Sequence, residues 1–124
     1  MKPGVAFLLL MLALPAAAAD AEIEYLLTSV EQSGCTFIRN GDAHPPAEAA
    51  DHLRMKYARA GSRVKGADQF IDRIASKSFL SGRAYTIQCG DADAYPTRLW
   101  LSERLAEYRA AQQQTNQALM SGTH

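Results

Sequence analysis

His44, Glu48 and His52 follow one another at intervals of four residues, a spacing that invites metal ligation or acid–base chemistry. Two imidazoles and one carboxylate are the bare minimum for either. Pro45 and Pro46 intervene, so His44 stands before a helix while Glu48 and His52 ride on it. The expected arrangement is a solvated His52 with Glu48 as its helical neighbour, and His44 at a hairpin edge. No metal site and no cofactor are expected. Ser29, Ser33, Ser62, Ser76, Ser78 and Ser81 all lie outside any G-x-S-x-G elbow. A catalytic triad would have to assemble in space from His52, Asp51 and a loop serine. With His44, those two are the acid–base candidates of a small envelope-acting hydrolase.

The cations carry more weight. Arg54, Lys56, Arg59, Arg63 and Lys65 fall within twelve residues that contain no acid. Together with Arg39, beside Asn40-Gly41, they would form a rim able to grip phosphate, carboxylate or an acidic partner. The plainer alternative is the solvated back of a surface helix, partly offset by Glu48 and Asp51. Arg39 and Asn40 belong to an exposed turn, where recognition residues concentrate. The expected binding set is therefore Arg39, Asn40, Arg54 and Arg59, and the expected partner is an envelope protein or an anionic ligand. The expected function is a non-catalytic interaction or ligand-binding module, with the histidine hydrolase as its alternative.

Elements to position these residues are legible in the hydrophobic periodicity. Ile23, Leu26, Leu27 and Val30 make one helical stripe, with Asp20, Glu22 and Glu24 in its first turn. From Cys35 the period becomes two: Cys35 and Phe37 face one way, Thr36 and Ile38 the other. Asn40-Gly41 is a tight hairpin turn, and Pro45-Pro46 ends the short returning arm. A helix opened by Pro46 sets Ala49, Ala50, Leu53, Tyr57 and Ala60 on one face and closes at Gly61. Ala67, Phe70, Ile71 and Ile74 predict a third helix. Ser76–Arg83 is turn-rich, and Tyr85, Ile87 and Cys89 alternate as a second strand. Gly90–Pro96 is expected as a polar loop, and Trp100, Leu101, Leu105 and Tyr108 as the inner face of a last helix. The fold class is α+β: about four helices on a two- or three-stranded antiparallel sheet.

The ends and the cysteines place the molecule. Lys2, the apolar run Val5–Leu14, Pro15 and Ala17-Ala18-Ala19 have the layout of a secretory signal peptide, cut after Ala19 or alternatively after Ala21. Residues 1–19 are thus expected to be removed, residues 20–109 to form one domain, and residues 110–124 to be a disordered polar tail. The rival reading of the apolar run is an uncleaved anchor, for which it is short. The chain has 13 basic and 13 acidic residues; losing Lys2 leaves a near-neutral domain, which gives no footing for nucleic acid. No stable membrane insertion is expected once the signal is gone. Cys35 and Cys89 are the two cysteines, and in an oxidising compartment they predict one disulfide in a periplasmic or secreted protein.

SGCTFIRNG, EAADHLRMKY, ADQFIDRIAS, SGRAYTIQC and a Trp-Leu pair opening a helix that ends in YR follow one another in this chain. In that order and spacing they resemble the DUF5329-like family of small exported bacterial proteins, a domain of unknown function, from about Ile23 to Arg109. The resemblance implies no activity, cofactor or catalytic residue. Three positions depart from the family pattern: His44 where an aromatic, usually tyrosine, is typical, Gly66 in place of a hydroxyl-bearing cap, and Ala84 in place of proline.

Overall fold

A computed structural model describes residues 15–122, and the predicted signal segment before Pro15 lies outside them. The first helix, α1, runs Pro15–Gln32. It starts upstream of the expected boundary, so Asp20, Glu22 and Glu24 sit inside it rather than in its first turn. Alanines 16–19 are strong helix formers and extend it backwards. Ile23, Leu26, Leu27 and Val30 are buried as the stripe predicts.

The hairpin follows as β1 (Thr36–Arg39) and β2 (Asp42–His44). Asn40 and Gly41 take φ values of 53° and 83°, the left-handed pair that lets a two-residue turn follow the strand twist. Helix α2 spans Pro46–Ala60, with Pro46 at its first position and the Gly61 N–H closing on the Tyr57 carbonyl. The third helical stripe is realised as a short α3 (Ala67–Gln69) that widens over Phe70–Ile74. There the Ala75 N–H reaches back five residues to the Phe70 carbonyl at 3.1 Å.

Strand β3 (Thr86–Gln88) pairs antiparallel with β1, opposing Thr36 to Gln88 and Phe37 to Ile87. One step further along that register lie the cysteines. Cys35 and Cys89 are disulfide-bonded with Cα atoms 4.5 Å apart, the spacing of facing residues in an antiparallel pair. A fourth strand, β4 (Tyr95–Pro96), adds to β3 and makes the sheet order β2-β1-β3-β4. The sequence predicts a loop here, because two residues ending in proline carry no alternation; proline is tolerated since this is an edge. The fold is therefore α+β as expected, with four strands instead of two or three.

Helix α4 spans Thr97–Ser121. It continues through the segment expected to be a disordered tail. Residues 109–122 are exposed, and their run of Ala and Gln needs no apolar stripe to favour helix. Ion pairs tie the helices together at the surface. Arg109 donates to Glu22 at 2.7 and 2.9 Å and to Asp68 at 3.2 Å, joining α4 to α1 and α3. One core contains residues from all four helices and the inner face of the sheet, with Phe70, Leu26, Ile87 and Leu101 fully enclosed.

Candidate functional site

The hairpin and α2 enclose a cleft lined by Phe37, Ile38, Arg39, His44, Glu48 and His52, with Leu53, Tyr85 and Thr97 among the deeper residues. Its empty space, counted together with the solvent at its open mouth, is about 390 Å³. The period-two alternation of β1 puts Phe37 and Arg39 on one face, and the four-residue spacing on α2 puts Glu48 and His52 one turn apart.

Its polar groups form two sets. On the hairpin side, the His44 Nδ1 lies 2.7 Å from the Glu48 carboxylate. An ionised carboxylate only accepts, so the imidazole N–H is at Nδ1 and, in the neutral ring, Nε2 carries the lone pair. That Nε2 is buried without a hydrogen-bond partner. So is the Thr97 Oγ1, on a residue with 1% of its surface exposed. Both unfulfilled atoms belong to residues that line the cleft.

On the α2 side, the Lys56 ammonium donates to the carbonyls of Ile74 and Lys77, at 2.7 and 3.1 Å, and to the Tyr85 hydroxyl at 2.9 Å. Lysine has no acceptor, so the Tyr85 oxygen accepts and its own proton is free for His52 Nε2, 3.4 Å away. Burial lowers the His52 pKa, and the nearby charges of Arg39, Lys56, His44 and Arg59 lower it further. Burial and then Arg39 lower that of Lys56. Burial raises that of Tyr85 against an opposing pull from Arg39. Arg39 is thus felt by all three groups. The cleft has a positive field, and its lining carboxylate, Glu48, is already engaged by His44.

A depressed imidazole pKa has a testable consequence. The unfolded chain takes up a proton near pH 6.5 before the folded one does, so folding stability is intact above that pH and falls as pH drops through the folded value. Urea denaturation between pH 7 and pH 5 should show this loss. His52→Gln, which keeps a group able to meet Tyr85, should flatten the profile relative to the parent.

The structure separates residues that the sequence groups together. Arg39 lines the cleft. Asn40 instead donates to Ser78 and accepts from Ser81, bracing the hairpin against the 78–83 loop. Arg54 is turned to α1, where Glu24 at 3.4 Å and Glu31 at 3.2 Å hold it, with Asp51 at 3.8 Å. Arg59 is exposed beyond the cleft, and Arg63 folds back onto the carbonyls of Ala60 and Arg59. Glu48 pairs with His44 rather than with His52. Asp51 is on Arg54's side and shares no hydrogen bond with His52. Among the described residues, no three His, Cys, Asp or Glu side chains converge as metal ligands. Tyr85 and Thr97 carry no signal in the sequence as cleft residues, although a hydroxyl-bearing aromatic on an apolar strand face is a hint.

A family model matches residues 17–109, which hold the hairpin, α2, both cysteines and every residue of the cleft. The chain belongs to the DUF5329 family, described as a family of unknown function. The uncharacterized protein YfeK of Salmonella typhimurium strain LT2 is 43% identical over 82 residues, which cover 61% of this chain and 68% of that protein. No solved structure matches the chain.

Proposed function

We propose that the protein is a non-catalytic binding module working outside the cytoplasm, whose cleft takes the acidic end of an amphipathic ligand. The observation that carries this reading is the cleft itself: apolar walls, Arg39 at its edge, and two buried polar atoms on its lining with no partner. Phe37, Ala49 and Leu53 would hold a short apolar segment. Arg39 would take the carboxylate or phosphate, and the Thr97 hydroxyl would donate to a second oxygen. A disulfide agrees with an oxidising compartment. No described helix is long and apolar enough to cross a membrane.

The reading is tested with decanoate and decanol as probes, titrated by calorimetry or by amide chemical shifts. Decanoate should bind and decanol should not match it. Arg39→Ala should weaken decanoate about tenfold to a hundredfold, the range for a lost charge-assisted hydrogen bond. Arg54→Ala should leave binding unchanged, because Arg54 faces Glu24 and Glu31 on α1. Equal binding of acid and alcohol, or an Arg39→Ala variant that binds like the parent, would sink the proposal.

One observation favours a second reading, a small hydrolase acting through a histidine. The Glu48–His44 pair fixes the imidazole with Nε2 buried and unpartnered, as a general base requires. Consumption of a bound ester, lost in His44→Ala and kept in His52→Gln, would establish it in place of simple binding.

A further inference from the structure

Among the described residues, the most exposed large apolar side chains stand at the tip of the 78–83 loop. Phe79 and Leu80 are 91% and 94% exposed, side by side at the end of the turn-rich stretch SKSFLSGR. The loop displays them on a built frame. Lys77 bridges to Ala84 across its base. The Ser78 N–H donates to the Arg83 carbonyl at 2.9 Å, and the Gly82 N–H to the Ser78 carbonyl at 2.9 Å. Asn40, from the hairpin turn, donates to Ser78 Oγ at 3.4 Å and accepts from Ser81 Oγ at 2.5 Å. Ser78 is itself buried. Two large apolar side chains are thus held out in water by a hydrogen-bonded scaffold, and that costs hydration free energy unless something covers them.

The charges around the tip say what that something is. Lys77 and Arg83 flank it, and the sequence holds no acid between Asp72 and Asp91. The Arg83 guanidinium lies against the hairpin turn, where a Cβ on Gly41 would sit 3.9 Å from it. Arg39 stands next to that turn, and Asp42 is the one acid of the hairpin. Two side chains are too small an area for a protein interface, which takes on the order of 800 Å² from each partner. A bilayer surface needs no shape complementarity: it accepts an apolar wedge of any outline and holds flanking cations at its headgroups.

We propose that Phe79 and Leu80 form a wedge that dips into the surface of an anionic bilayer, with Lys77 and Arg83 resting on its phosphates. The contact is peripheral and reversible, since one small wedge with two cations falls well short of a membrane span. It is independent of what the cleft binds. The hydrogen bonds from Asn40 nevertheless place the cleft's hairpin beside the docked tip, so a membrane-bound molecule would have its cleft near the lipid.

The test is co-sedimentation of the full chain with vesicles of phosphatidylglycerol and, separately, of phosphatidylcholine. The apolar segment Val5–Leu14 is common to parent and variants, so the reading is the difference between them. The Phe79→Ser, Leu80→Ser double variant should lose about tenfold or more of the parent's partitioning onto phosphatidylglycerol, from the apolar burial forgone. Lys77→Gln and Arg83→Gln should each lose about fivefold on phosphatidylglycerol and little on phosphatidylcholine. All four positions are exposed or carry exposed side chains, and unchanged far-ultraviolet circular dichroism would verify the fold. As a local readout, Phe79→Trp should be quenched by brominated acyl chains beyond any quenching of the half-buried Trp100 in the parent. An unquenched Trp at position 79, or a double variant that partitions like the parent, overturns the proposal. So does a double variant whose only change is loss of self-association, which would make the tip a contact between copies of the chain.

Discussion

Reducing the Cys35–Cys89 bond should lower the stability of the folded chain by roughly 4 kcal/mol in the chain-entropy account. The bond closes a loop with a sequence separation of 54, so the reduced unfolded chain regains a large set of conformations. For a domain of this size such a loss corresponds to a fall in melting temperature of about 20 °C. A small domain has on the order of 5–15 kcal/mol in all, so the reduced form is left close to the threshold of folding. The position of the bond adds a local consequence. It ties the start of β1 to the end of β3 at the same register that opposes Phe37 to Ile87, and Phe37 is a wall of the cleft. Thermal melts with and without reductant, and of a Cys35→Ser, Cys89→Ser variant, measure the effect. The variant should match the reduced parent and should not respond to reductant. A melting temperature that reduction moves by only a degree or two would show that the β1–β3 pairing needs no covalent help.

The buried half of this fold is plain in the sequence, because burial imposes periodicity. Ile23, Leu26, Leu27 and Val30 are buried at the spacing that predicts them, and Cys35, Phe37, Tyr85 and Ile87 alternate inward as the strands require. What the sequence leaves hidden is decided by partners distant in the chain. Arg54 and Arg39 look alike in a run of cations, yet one is claimed by Glu24 and Glu31 on α1 while the other borders a cleft. Lys56 looks like a solvated helix residue but is drawn inward by the carbonyls of Ile74 and Lys77, at and beyond the end of the wide turn after α3. Helical spacing suggests Glu48 with His52; the hairpin instead returns His44 to the same carboxylate. Tyr95–Pro96 shows the complementary limit. A two-residue strand is a property of the neighbouring β3, which supplies the hydrogen-bonding edge, and no pattern within two residues can announce it. The polar end of α4 is a third case, since helix propensity alone sustains it where amphipathicity is absent.

Phe70→Ala should destabilise the protein by about 3–5 kcal/mol, as expected for truncating an aromatic in a closed core. Phe70 has no exposed surface, and its ring meets Tyr57 edge-on with centroids 5.5 Å apart. That contact joins the wide turn after α3 to α2, the helix that carries Glu48, His52 and Lys56. The same turn supplies the Ile74 carbonyl that holds Lys56. Losing the ring therefore empties a core site and loosens the two elements whose mutual position shapes the cleft, so ligand binding should weaken along with stability. Phe79 provides an internal control of the same residue type. It is 91% exposed, and Phe79→Ala should change stability by no more than about 0.5 kcal/mol, as for ordinary surface substitutions. Urea denaturation of the two variants beside the parent separates the cases directly. Comparable losses would mean that the loop tip packs somewhere in the folded molecule, and would argue against both its exposure and its role as a membrane wedge. A large loss at Phe70 with none at Phe79 would show that one phenylalanine holds the fold while the other is left free to act outside it.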